Sequence, residues 1–166
     1  VTNGCAELTN DENAAVQPQG GKDPVIVPSV LGGCPVKSIG KKEFYLCKNI
    51  TAVSIPESVT NIGEYAFYEC QSLQSLVIPS NVVEIGSQAF FDCYSLSAVS
   101  LPNELKIIGS QAFRRCISLQ RLIIPSGVSE IRAWAFFESG IQSLTIPASV
   151  DSVGYHALQN LNRGLK

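Results

Sequence analysis

The apolar and polar positions of this chain follow a pattern that restarts every 22–23 residues. Pro56, Pro79, Pro102, Pro125 and Pro147 mark the restarts, separated by 23, 23, 23 and 22 residues. The same apolar columns recur between them. Leu73, Leu76 and Ile78 read Leu-x-x-Leu-x-Ile, which puts Leu76 and Ile78 on one face of a short strand and leaves Val77 outside. Leu96/Val99/Leu101, Leu119/Leu122/Ile124 and Ile141/Leu144/Ile146 repeat it. The next residue, proline, lacks an N–H and ends the strand. A second extended piece points Val59 and Ile62 inward, matched by Val82/Ile85, Leu105/Ile108, Val128/Ile131 and Val150/Val153. Gly63, Gly86, Gly109 and Gly154 predict a tight turn after it, although Arg132 in the same column argues against an obligatory positive φ. A brief helical turn is predicted next, with Ala66-Phe67 packed inward and Ala89-Phe90, Ala112-Phe113, Ala135-Phe136 and Ala157-Leu158 as its equivalents.

One unit cannot bury its own apolar residues, whereas stacked units bury them in a continuous column. Burying each Phe or Leu contributes about 1.5–3 kcal/mol. The expected architecture is a solenoid of about six coils, with short parallel strands joined by short helical turns. The first unit, 28–55, carries five extra residues between Pro28 and Gly40. The last, from Pro147, is incomplete, so the solenoid is expected to run over 25–166. Residues 1–24 lie outside the repeats and are polar, with Glu7, Asp11, Glu12 and Asp23 against Lys22. They are expected to form a flexible or cap-like N-terminal segment.

The pattern I-P-x-x-V-x-x-I-G-x-x-A-F-x-x-C-x-x-L-x-x-L-x-I-P resembles the BspA-type leucine-rich repeat, also called the Treponema pallidum class. The stretch P-S-V-L-G-G-C-P-V-K-S-I-G in the first unit is similar to the way such arrays open. The resemblance covers about residues 25–160. It implies a leucine-rich-repeat solenoid of α+β repeats, with no intrinsic catalysis and no cofactor. It also implies the setting of that family: surface or secreted proteins of bacteria and some protists that adhere to host proteins or other cells. Three departures lie toward the C-terminal end. Ser139-Gly140-Ile141 loses the cysteine and one residue, Arg132 replaces glycine, and Leu161 stands where a cysteine would fall. They imply local distortion there.

Composition narrows the function. Apolar residues make up 45% of the chain and charged residues 16%, with net charge −2, so no long-range field draws it to nucleic acid. No apolar run reaches the length of a membrane-spanning helix. The chain starts at Val1 and contains no Met, which reads as a mature or trimmed fragment with any leader or anchor out of view. Cys47, Cys70, Cys93 and Cys116 stand 23 apart. They read either as a metal or redox ladder or as a column of buried thiols acting as small hydrophobes. The column's end at Ser139 and Leu161 favours the second reading and no metal. Cys5 and Cys34 lie off the column, either paired in an oxidising compartment or as two free thiols.

His156, the one histidine, has no nucleophile motif to serve and reads as a surface residue. Glu57, Glu64, Glu84 and Glu130 read as solvated surface rather than as a catalytic pair. Gly20-Gly21 and Gly32-Gly33 lack the context of a phosphate loop. Asn49-Ile50-Thr51 is a glycosylation sequon that matters only in a eukaryotic secretory pathway.

Two surfaces remain. The outward strand residues Gln74, Val77, Ser97, Ser100, Gln120, Arg121, Ile123, Gln142 and Thr145 form a repeated ladder that suits protein contact, or are simply soluble strand residues. On the return side, Tyr65, Tyr68, Phe91, Tyr94, Trp134 and Phe137 either cover the coil or mark an interface. Charge is also uneven. Unit 56–78 holds three acids, and unit 102–124 holds Lys106, Arg114, Arg115 and Arg121 against Glu104, a spot fit for an acidic partner or a neighbouring copy. The expected function is a non-catalytic protein-binding or adhesion module, extracellular or at the cell surface, whose partner is a host extracellular or another cell-surface protein. The alternative is a spacer or assembly module.

Overall fold

The structure, a computed structural model, describes residues 7–8 and 24–161. The chain winds as a stack of coils held by backbone ladders. The continuous ladder is a seven-stranded parallel sheet in chain order: Glu7–Leu8, Ser38–Ile39, Asn61–Ile62, Glu84–Ile85, Ile107–Ile108, Glu130–Ile131 and Ser152–Val153. Its register sets Ile62, Ile85, Ile108 and Ile131 directly over one another. This sheet comes from the second extended piece of each unit.

The Leu-x-x-Leu-x-Ile segments pair only in parts. Val25–Ile26 pairs with Val53–Ser54, and Ser75–Val77 with Ala98–Ser100. Single bridges join Ala52 to Ser75 and Arg121 to Ser143. The two pieces differ in the residue at their C-terminal end. Proline removes a donor after Leu-x-x-Leu-x-Ile. Glycine extends the other ladder, since Gly63, Gly86 and Gly109 donate their N–H groups to the Ile39, Ile62 and Ile85 carbonyls, each at 2.8 Å.

The predicted helical turns are corrected: no described residue is helical. An α-helix sends every N–H to the fourth residue back. Here the donors alternate. Ala66, Tyr68 and Cys70 donate three residues back within the coil, at 3.1–3.3 Å, while Tyr65, Phe67 and Glu69 donate to Ser87, Ala89 and Phe91 of the next coil, at 2.7–3.0 Å. This return-side ladder requires left-handed residues at Tyr65, Gln88, Gln111, Trp134 and His156, and again at Glu69, Asp92, Arg115, Glu138 and Asn160. Each costs roughly 1–3 kcal/mol of strain, offset by the bonds between coils.

The glycine column stands at the start of a turn, as Ala66 N–H on the Gly63 carbonyl and Ala89 N–H on Gly86 show, and, as Arg132 suggested, it needs no positive φ. Gly63, Gly86, Gly109 and Gly154 do not have positive φ. A Cβ on Gly63 would instead lie 2.8 Å from the Gly40 carbonyl carbon, and one on Gly109 would lie 2.6 Å from Gly86. Close approach of successive coils therefore favours the small residue at these positions, while Arg132 fills the same column with its N–H on the Ile108 carbonyl at 2.9 Å. Positive φ among described glycines is found only at Gly32 (57°) and Gly33 (82°). These close the antiparallel hairpin of Val30–Leu31 and Cys34–Pro35, which absorbs the extra residues of the first unit.

The core is a spine. Phe44, Phe67, Phe90, Phe113 and Phe136 are buried and stack face to face, with centroids 5.0, 5.2, 5.1 and 5.7 Å apart. Val153, expected inward, is 48% exposed, because among the described residues no further coil covers it. Of residues 1–24, Glu7–Leu8 pairs with Ser38–Ile39. The remainder up to Asp23, with Cys5, falls outside the described residues, as do 162–166.

The cysteine column runs beside this spine. Cys70, Cys93 and Cys116 donate Sγ–H to the Phe44, Phe67 and Phe90 carbonyls, each at 3.1 Å, and all three thiols are free. Ser139 continues the column, buried, but its Oγ finds no partner among the described residues. Burial pushes the Cys70, Cys93 and Cys116 thiols far above their ordinary 9.0. Above pH 9 they therefore stay protonated when folded but ionise when unfolded. Stability from this column is complete below pH 9 and declines as pH rises above it. In the native protein a maleimide should modify half-buried Cys34 and spare Cys70, Cys93 and Cys116, as peptide mass mapping would show. Equal native labelling of all four would contradict this packing.

Candidate functional site

The outward strand face is built from the residues between the buried Leu and Ile positions. Gln74, Val77, Ser97, Ser100, Gln120, Arg121, Ile123, Gln142 and Thr145 are all exposed there. Ile26 is 74%, Val77 70% and Ile123 85% exposed, which is unusual for aliphatic side chains and gives the face three apolar prominences, the last two flanking the coils around Arg121.

The ladder beneath this face is broken at one place. Ser97 donates its N–H to the Gln74 carbonyl at 2.9 Å and Ile78 to Ser100 at 3.1 Å, and further along Gln142 donates to Gln120 at 3.1 Å. No backbone hydrogen bond joins 97–101 to 120–124 among the described residues. The second ladder and the return ladder remain closed across the same two coils, through Ile107–Ile108 on Glu84–Ile85 and Phe90 N–H on the Ala112 carbonyl at 2.8 Å. The break is thus confined to the backbone bonds of the outward face, and the coils stay stacked.

Arg121 stands at this seam. It lines a depression of about 490 Å³ with Ser97, Ile117, Ser118 and Gln120. It also borders adjoining hollows with Val77 and Ser100, with Asn103 and Pro125, and with Ser143 and Thr145. No carboxylate lines any of these four hollows. Arg121 makes no ion pair among the described residues.

The uneven charge seen in sequence is largely consumed inside the molecule. Glu64 pairs with Lys41 at 2.8 Å and Glu69 with Lys48 at 3.5 Å. Arg115 pairs with Asp92 at 2.9 Å, and Tyr94 donates its hydroxyl to the same carboxylate at 2.7 Å. Burial raises the Asp92 carboxyl despite those two partners, and burial, then the bond to Asp92, pushes the Tyr94 phenol up to about 12. Arg114 is held between the rings of Phe91 and Phe137, 5.3 and 5.2 Å from their centroids. Of the basic unit's cations only Arg115 makes an ion pair among the described residues; Arg114 is taken up by the two rings and by Gln111 Oε1 at 2.9 Å, which leaves Arg121 and Lys106.

The return-side aromatics are all half-buried. Tyr45 stacks on Tyr68 at 5.0 Å and Tyr68 on Phe91 at 4.9 Å, and Arg114 and Phe137 continue the file. Tyr65 leans on Tyr45 and Tyr68, Trp134 packs against Tyr155 and His156, and Tyr94 lies under Arg115. Rings stacked on one another turn their edges, not their faces, to solvent. Sequence reading missed Tyr45 and Arg114 as members of this file, although Tyr68, Phe91, Arg114 and Phe137 are 23 apart. It also missed Ser118 and Asn103 beside Arg121; Ser118 belongs to the repeated Cys-x-Ser-Leu column with Ser72 and Ser95, whereas nothing in the repeat marks Asn103.

Parallel coils of this length, one Phe spine and an outward strand face define a leucine-rich-repeat solenoid, a class that generally mediates protein–protein interaction. A profile of the BspA type leucine rich repeat region matches six copies over residues 37–163, and the chain belongs to that family. Comparison with curated proteins finds no significant match. The crystal structure of the T. pallidum leucine rich repeat protein is similar at TM-score 0.81 and 34% identity, covering 86% of this chain and 66% of that one. A leucine rich cell surface protein from Faecalibacterium prausnitzii is similar at TM-score 0.60 and 28% identity, over 88% of this chain and 47% of that one. A leucine-rich repeat protein from Bacteroides ovatus gives 0.55 and 26%, over 83% and 49%. This chain therefore spans two thirds or less of these relatives. No described helix is long and apolar enough to cross a membrane.

Proposed function

We propose that this chain is a non-catalytic protein-binding module of a cell-surface or secreted protein, serving adhesion through its outward strand face. The observation that carries the reading is the contrast between the two sides. The aromatic side is stacked on itself except for Tyr155, 68% exposed at the last described coil, while the strand face leaves Val77, Ile123 and Arg121 exposed around hollows over the unbonded seam. The cell-surface name of the F. prausnitzii relative supports the location. The closed aromatic file weighs against assembly through Trp134 and Phe137.

The test is surface plasmon resonance of the purified chain over immobilised extracellular-matrix proteins. At least one should be bound, and Val77→Asp with Ile123→Asp should weaken it tenfold or more, about 1.4 kcal/mol. Trp134→Ala with Phe137→Ala should leave it unchanged. Binding lost only in the aromatic variant, together with lost self-association, would favour the spacer reading instead.

A further inference from the structure

We propose that the seam between 97–101 and 120–124 is a docking groove for an extended acidic peptide segment, whose carboxylate is received by Arg121. The inference rests on the outward face being the binding surface and names what that face takes.

Three observations carry it. The first is charge. Arg121 is exposed, without an ion pair among the described residues, and the four hollows that it borders contain no acid. A guanidinium presents a planar fork of donors that fits a carboxylate with two parallel hydrogen bonds. The other cations of the same unit are occupied, by Asp92 and by the Phe91–Phe137 sandwich, or lie off this face at Lys106.

The second is the backbone. Strand Ala98–Ser100 is bonded on its far side to Ser75–Val77, and the segment around Gln120 is bonded on its far side to Gln142. Between them no backbone bond forms among the described residues. The second ladder and the Phe90–Phe113 stack, at 5.1 Å, still keep the two coils adjacent. The hollows that Arg121 borders lie on the outward face over this seam. Five residues of strand span about 16 Å at roughly 3.3 Å each. A peptide of that length lies across the outward face over the seam, with its side chains within reach of Arg121 and the hollows around it.

The third is the flanks. Val77 and Ile123 stand on opposite sides of the seam and suit aliphatic side chains of the same peptide. No aromatic ring lines these hollows, so a sugar ring finds no face to stack on. Polypeptide is favoured over glycan for this reason.

The experiment tracks the amide resonances of isotope-labelled protein during titration with three probes: acetyl-Val-Glu-Val-Glu-Val-amide, its Gln-for-Glu counterpart, and a sulfated heparin disaccharide. The Glu peptide should shift the amides of Ser97, Ser100, Gln120 and Arg121, bind at least tenfold tighter than the Gln peptide, and weaken with added salt. Arg121→Gln should remove that preference, whereas Lys106→Gln should leave it intact. Arg121 is exposed, so both variants keep the fold. Equal binding of the two peptides at the seam would sink the acidic specificity while leaving the strand face as the contact surface. Tighter binding of the disaccharide would replace peptide with glycan. Shifts confined to the aromatic side would overturn both this groove and the proposed function. A silent titration with every probe would overturn the groove alone, the face itself being judged by the Val77 and Ile123 variants above.

Discussion

Phe90→Ala should lower the free energy of unfolding by about 3–5 kcal/mol, the largest loss expected from any single truncation. Phe90 is fully buried, with Phe67 stacked on one face and Phe113 on the other. Its carbonyl also accepts the Cys116 thiol at 3.1 Å. Truncation removes ring contacts to two coils at once and leaves a cavity in the middle of the spine. In a stack whose coils touch only their neighbours, that cavity weakens the coupling between the two ends of the molecule. Urea unfolding should therefore show a lower midpoint and a broader transition than the parent. Leu158→Ala, at the half-buried end of the same column, should cost much less, on the order of 1 kcal/mol. Equal losses at the two positions would contradict a shared spine.

Gly140→Ala should be nearly as damaging, at about 3 kcal/mol, for the opposite reason. Unit 125–146 is one residue shorter than its neighbours. The chain crosses the shortened corner at Gly140, whose N–H reaches the Cys116 carbonyl at 3.1 Å. A Cβ there would overlap the Ile117 carbonyl oxygen. The corner has no spare residue to move, and the obstacle is backbone rather than a flexible side chain. The glycine column offers a contrast, because Arg132 stands in it and the coils accommodate its Cβ. Arg132 even reaches Glu130 at 3.0 Å and Glu84 at 3.7 Å. Gly33→Ala isolates the other kind of glycine constraint. Its Cβ would meet nothing within 4 Å, but φ is 82°, so only backbone strain of about 1 kcal/mol is expected. Thermal unfolding of the two variants separates steric overlap from strain, and a Gly140→Ala protein as stable as the parent would disprove the overlap.

The sequence made the coil legible because burial repeats with the side chains. The Ala-Phe pairs, the Leu-x-x-Leu-x-Ile columns and the cysteine file all come from apolar period alone. Backbone pairing did not, since periodicity says which side chains are inside and not which edges are bonded. The continuous ladder therefore lies in the shorter Val-x-x-Ile piece, with glycine rather than proline after it. The return side was read as helical because Ala-Phe-x-x-Cys fits a turn of helix equally well. The alternating donors and the left-handed residues at Tyr65 and Glu69 depend on the next coil, which no local window contains. The strand-face candidates were legible as the residues left between buried columns. The seam beside Arg121 was not, because 97–101 and 120–124 carry the same pattern as their paired neighbours.

The most direct test is the unfolding free energy of a Val77→Ser, Arg121→Gln, Ile123→Ser triple variant beside Phe90→Ala. If the spine alone holds the coils and the strand face is free for contact, each face substitution should move stability by no more than about 0.5 kcal/mol. A combined loss approaching that of Phe90→Ala would show that the face is structural, and no contact surface would remain to be spared.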